Sequence, residues 1–281
     1  MVDSIKTKND LLIITSLVIM GFLAAGFCSK PAHLPLIQLD NQQVDKDLTI
    51  SLGGGGNSGI LVTDSVVVVI DTKMGKDAED LYNLARQTAG TKRIIVINTH
   101  YHGDHVKGNH FYAGDRIYIA GYDKAFLEKE VEAANMPDFI VHDSLTLNLG
   151  NETIVLYDMG QAHTYHDMIV YLKKRKMLFS GDLIFHDINP VLKRNSGADV
   201  EMWIAVLGKI QKKLDIKTLV PGHGKVGGKE LLGSMKQYFI DMKIATTNPI
   251  KETEARAKYK DWMEMPGMAS VSATIDYIRG K

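Results

Sequence analysis

Three histidines and an aspartate fill four of the six positions from His100 to His105 (HYHGDH), directly behind the apolar run 93–97 (RIIVI). That run is β-branched and too short for a helix, so it reads as a buried strand. A strand can bring polar side chains to one fixed place only if a packed core holds it. The run therefore calls for a layered fold whose strand ends carry the chemistry. Alternation along a continued strand would set His100 and His102 on one face. Gly103 breaks that alternation and sends Asp104 and His105 beyond the strand, into a turn leading to a helix. With only 10 histidines in 281 residues, such a density points to metal ligation rather than to a solvated loop. The single cysteine, Cys28, excludes an intrachain disulfide and a thiolate-rich site. Imidazole and carboxylate donors suit Zn, Fe, Mn or Ni.

The rest of the chain supplies the layers. Residues 48–52 (LTISL) read as a strand running into the glycines 53–56, a turn open to close backbone approach. Strands are expected at 60–63 and 66–70, the second ending at Asp71, followed by a helix over 76–87. The second half repeats this plan. Strands are expected at 153–157, 168–172 and 176–179, then a helix over 199–214 and a short strand at 219–220. Helices follow at 229–243, 253–263 and 270–278, their apolar stripes (Tyr259, Trp262, Ile275, Ile278) covering the core. Three further polar residues stand where an apolar strand yields to a glycine-containing loop: His163 (GQAHTYHD), Asp182 (FSGDLIF) and His223 (PGHGK). The long connections 53–59, 110–141 and 186–198 are expected to border the site, with Tyr101 lining it or packing beside it.

Residues 36–281 are expected to form one domain. Residues 1–28 read as a signal peptide or N-terminal anchor: Lys6 and Lys8 precede the uncharged run 11–27, which ends in small residues before Cys28. Export, periplasmic or facing outside the cytoplasm, follows from that layout. Contact with a membrane is expected only through this anchor or through a lipidated Cys28, although Phe27 is bulky for a lipidation signal. Lys+Arg and Asp+Glu both number 33, and this balance argues against nucleic acid as partner. A small-molecule substrate is expected; oligomeric state is not legible.

Taken in order, VVIDT, HxHxDH, AHT, SGDL and PGHG resemble the metallo-β-lactamase-fold superfamily over nearly all of residues 45–225. The resemblance implies an α+β, four-layer αββα sandwich, with two mixed β-sheets face to face, helices outside, and a dinuclear site between them. It implies that His100, His102 and His163 hold one metal. Asp104, His105 and His223 would hold the other, with Asp182 bridging the two and Asp71 supporting the His-rich loop. The implied cofactor is two Zn2+, with Fe or Mn as the other ions such a site takes.

Two divalent metals would acidify a bound water to a hydroxide near neutral pH, and Asp104 is suited to orient it as the catalytic residue. His166 and His186 are candidate proton donors. True metallo-β-lactamases usually carry Cys or Ser where Asp182 stands, whereas Asp is typical of thioesterase, lactonase and general hydrolase branches. PGHGK departs from the CGHEY-like motif of glyoxalase II-type enzymes. The stretch from Gly181 to Ile210 resembles exported quinoprotein-relay-like hydrolases. The expected substrate is an ester, thioester, lactone or lactam. Two other readings are a persulfide dioxygenase with one iron and an exported metal-binding protein without turnover.

Overall fold

The computed structural model describes residues 39–280. The expected signal or anchor segment, Cys28 and residues 36–38 lie outside the described residues. Among those described, no helix is long and apolar enough to cross a membrane.

Seven strands build the first sheet in chain order: β1 (Asp40–Asp45), β2 (Leu48–Leu52), β3 (Ser58–Val62), β4 (Val67–Ile70), β5 (Ile94–Ile97), β6 (Arg116–Ala120) and β7 (Phe139–Val141). β1 to β4 pair antiparallel, and β4 to β7 run parallel. The second sheet holds β8 (Ser144–Asn148), β9 (Thr153–Asp158), β10 (Met168–Leu172), β11 (Met177–Phe179) and β12 (Thr218–Val220). Within it β8 to β11 are antiparallel and β12 lies parallel to β11. The helices are α1 (Gly75–Ala89), α2 (Gly103–Val106), α3 (Lys124–Glu130), α4 (Val200–Lys213), α5 (Glu230–Ala245), α6 (Pro249–Lys258) and α7 (Val271–Ile278).

Period-two alternation explains the layering. Val67, Val69, Ile94 and Val96 face outward and pack with Leu81 and Ala85 of α1. Their neighbours Val68, Ile70, Ile95 and Ile97 face inward and meet Ile154, Leu156, Val170 and Phe179 of the second sheet. On that sheet's outer side, Ile169, Tyr171 and Leu178 pack with Trp203 and Leu207 of α4 and Phe239 of α5. Strands buried on both faces therefore read as continuous apolar runs. The order of layers is helix, sheet, sheet, helices: the expected αββα sandwich of two mixed sheets.

Two expectations are corrected. The segment 110–141 is not a long connection, since β6, α3 and β7 lie within it. The helix expected at 253–263 is α6, ten residues that begin at Pro249. The Asn248 side chain accepts from the Ile250 and Lys251 amides, and Pro249 needs no amide partner at a helix start. The C-terminal stripe covers the core as expected, with Tyr259 and Ile275 buried and Trp262 and Ile278 packed against them.

Candidate metal centre

Every sequence-predicted ligand sits beyond a strand end. β5 stops at Ile97, so His100 and His102 lie in the following loop rather than on a continued strand. His102 is the N-cap residue of α2, whose single turn brings Asp104 and His105 back toward the strand end. His163 lies between β9 and β10, Asp182 in a short 3-10 turn behind β11, and His223 behind β12.

The structure gathers all seven into two adjoining groups. In the first, His102 Nδ1 stands 3.0 Å from both His100 Nε2 and His163 Nε2. Asp182 Oδ2 closes this group at 3.3 Å from His163 Nε2 and 3.8 Å from His100 Nε2. In the second, His223 Nε2 is 3.3 Å from Asp104 Oδ2, and His105 Nε2 is 3.6 Å from the same oxygen. The other oxygen of Asp182, Oδ1, faces this group at 3.2 Å from His105 Nε2 and 3.3 Å from His223 Nε2.

These donors fit metal ions. Three imidazole nitrogens converge in the first group, more than mutual hydrogen bonds can satisfy, because a neutral ring carries one proton. In the second, His105 Nε2 and Asp182 Oδ1 are buried without a hydrogen-bond partner. Buried polar atoms of this kind are normally paired, and a cation supplies the missing partner.

Electrostatics separates the groups. Burial, reinforced by neighbouring imidazoles, holds His100 well below its ordinary range, His102 at about 3 and His163 at about 4. All three are neutral, with lone pairs free. Burial also opposes charge on His105 and His223. Asp182 with Asp71 and Asp104 outweighs it at His105, which stays well above its ordinary value. Asp182 and Asp104 push His223 up to about 9. In reverse, burial opposes the charge of Asp104 and Asp182, yet His105 and His223 hold both carboxyls below the usual range. A cation entering the second group therefore displaces protons from these imidazoles.

The profile of the Metallo-beta-lactamase superfamily matches residues 52–223. The chain belongs to that superfamily. The "Metallo-beta-lactamase type 2" of Bacteroides fragilis is 25% identical over 195 residues, covering 69% of this chain and 78% of that protein. "Metallo-beta-lactamase IND-1" of Chryseobacterium indologenes is 27% identical over 176 residues, 61% of this chain and 73% of the relative. Among solved structures, a metallo-beta-lactamase from Pontibacter korlensis superposes with a TM-score of 0.62 at 23% identity, over 71% of this chain and 99% of the other. The DIM-1 metallo-beta-lactamase gives 0.62 at 20% identity, over 71% and 95%. By this membership the chain is a metal-dependent hydrolase, and its His/Asp cluster is the metal-binding feature.

Around the His/Asp cluster, a layer of supporting residues holds its side chains in place. Asp71 accepts from the Thr99 amide at 2.7 Å and the Thr99 hydroxyl at 2.8 Å, and stands 2.9 Å from His105 Nδ1. Ser196 Oγ lies 3.2 Å from His102 Nε2. Phe185 stacks on His223, and Trp203 meets His163 edge-on while its indole donates to the Leu183 carbonyl. Of these supports only Asp71 is visible in the sequence. The connection 186–198 borders the centre through Ser196, and the glycines 53–56 do so through Gly55 and Gly56, which abut Asp104 and His105. Tyr101 is buried against Tyr122 and Phe126. Neither candidate proton donor joins the cluster: His166 Nδ1 pairs with Asp158 Oδ2 at 3.0 Å, and His186 Nδ1 lies 2.6 Å from the Lys225 carbonyl.

Two predictions arise here. A methyl group at Gly222 would overlap Asp182 Oδ1 and the backbone of Gly181. Gly222→Ala should therefore displace the shared carboxylate and lower zinc retention about 10- to 100-fold, as loss of a metal-supporting contact does. Zinc analysis after dialysis checks this, and full retention would show that Asp182 can shift freely.

The second concerns Asp167, whose carboxylate accepts from the Thr164 amide at 2.9 Å and hydroxyl at 2.8 Å. Burial nevertheless pushes it up from 3.8 to about 7. The folded chain thus keeps a proton that the unfolded chain releases near pH 4. This stability is full below about pH 4 and lost as pH rises toward 7. Urea unfolding of the metal-free protein should show wild type losing stability relative to Asp167→Asn over that interval. A difference independent of pH would contradict the raised value.

Proposed function

We propose that this chain cleaves an acyl bond, in an ester, thioester, lactone or lactam, using two divalent cations. The donor set favours zinc. His100, His102 and His163 hold one cation, Asp104, His105 and His223 the other, and Asp182 joins both. A single observation carries this reading: the two oxygens of Asp182 face two different donor groups, Oδ2 toward His163 and Oδ1 toward His105 and His223.

When bound, such a pair supplies a water acidified toward neutral pH and positive charge for the carbonyl oxygen. The chain's own residues do the rest. His100 and His163 are buried, and Trp203 and Phe185 fix the rings of His163 and His223. Asp104 is the most exposed of the carboxylates in the centre and keeps its charge, so it can accept a hydrogen bond from the attacking water and orient it. The substrate is a small molecule, and residues 1–28 serve as an export signal or as an N-terminal anchor that leaves the domain outside the cytoplasm.

Elemental analysis of purified protein should return two zinc ions per chain, with turnover on a panel that includes an ester, a thioester, a lactone and a β-lactam. Asp104→Ala should lose about 10²- to 10³-fold in kcat with a much smaller change in KM. One iron per chain with oxygen consumption on a persulfide would overturn the hydrolytic reading. Bound metal with no cleavage across the panel would favour a non-catalytic binder, and unchanged turnover of Asp104→Ala would remove Asp104 from its role.

A further inference from the structure

Lys73 is a cation enclosed in the protein interior. It is fully buried, and its ammonium donates to three backbone carbonyls: Ser51 at 3.0 Å, Gly53 at 2.5 Å and Gly56 at 2.8 Å. An ammonium has three protons, so the acceptors saturate it. Burial lowers its pKa to about 8, with Asp77, Asp71 and Asp104 as the opposing charges, and it remains cationic at neutral pH. The segment that carries it is held in a demanding conformation, with φ of 55° at Asp71 and 60° at Lys73, a region that non-glycine residues enter only at a cost.

The clamped loop touches the second donor group from both sides. The Gly56 amide donates to the Asp104 carbonyl at 3.3 Å. A Cβ on Gly55 would press on the Asp104 side chain, and one on Gly56 would overlap the His105 imidazole. Next in the chain, the Asn57 amide donates to the Gly222 carbonyl at 2.7 Å, and its side-chain amide donates to Pro221 and Gly224 carbonyls, on either side of His223. The base of the clamp is tied to the same group: the Thr72 amide donates to the His105 carbonyl at 2.9 Å, and Gly108 to the Lys73 carbonyl at 3.1 Å.

We propose that Lys73 is a positioning residue for the cation held by Asp104, His105 and His223: its ammonium pins the loop 53–56 against those ligands. The inference rests on the dinuclear reading. It also has a sign that simple charge repulsion does not. A cation beside two divalent ions disfavours them, so removing it should tighten metal binding by Coulomb's law alone. If Lys73 acts by holding the loop, its removal should weaken the second metal instead.

Chelator-competition titrations of wild type and Lys73→Met give two zinc affinities each. The second zinc is expected to weaken about 10- to 100-fold in the variant, the usual range for a lost supporting contact, with the first little changed. A second zinc bound as tightly or more tightly in Lys73→Met overturns the inference. Wild type that binds fewer than two zinc ions overturns the dinuclear reading, and the inference with it. Unmodified protein provides an arm that does not depend on the variant folding. Coupling between loop and metal is reciprocal, so hydrogen exchange at residues 53–57 should slow on the second zinc equivalent more than on the first. Exchange that is insensitive to the second equivalent overturns the clamp.

Discussion

Asp182→Ala is expected to empty both halves of the metal centre at once. Among the described residues, its carboxylate alone has one oxygen toward each donor group, at 3.3 Å from His163 and at 3.2 and 3.3 Å from His105 and His223. On the proposed dinuclear reading, removing it would take a ligand from each cation. It also leaves the His105 and His223 imidazoles without the largest of the charges that oppose their burial. Breaking a buried charged pair costs about 3–5 kcal/mol, and a loss of that size corresponds to roughly 10²- to 10⁴-fold in zinc affinity and in kcat/KM. Zinc content after dialysis and steady-state rates measure both. A variant with two zinc ions and half of its rate would show that Asp182 lies beside the cations rather than between them.

The second large effect falls on a residue outside both donor groups. Asp71→Ala removes the acceptor of the Thr99 amide and hydroxyl and the partner of His105 Nδ1, all of them buried. Each donor left unpaired costs about 1–3 kcal/mol. Asp71 also has a φ of 55°, which aspartate and asparagine tolerate better than alanine. The expected loss is about 4 kcal/mol of unfolding free energy in the metal-free protein, a large share of the 5–15 kcal/mol typical of a domain. Asp71→Asn keeps the backbone preference and one acceptor, so it should lose less. Urea unfolding distinguishes the two; an alanine variant within 1 kcal/mol of wild type would contradict the network's importance.

The clustered residues were legible because histidine is sparse in this chain and each member stands at a rigid address. His100, Asp182 and His223 follow apolar strands whose composition shows on its own, and short glycine-containing motifs mark the turns. Apart from Asp71, their supports were not legible, because their partners are remote in sequence. Ser196 reaches His102 across 94 positions, and Asn57 reaches Pro221 across 164. Lys73 looks in the sequence like one more solvated lysine, and only the packed loop above it reveals its burial. Among the strands, β1 (DNQQVD) is exposed throughout and has no apolar pattern to betray it; pairing with β2 alone makes it a strand.

The order of the clustered residues along the chain also sets when the cluster can form. His100, His102, Asp104 and His105 are neighbours, so chain proximity alone makes them a local group. His163, Asp182 and His223 join it only after the second sheet has docked on the first. The complete donor set is therefore a property of the closed fold: a chain whose second sheet has not docked holds only four of its seven members together.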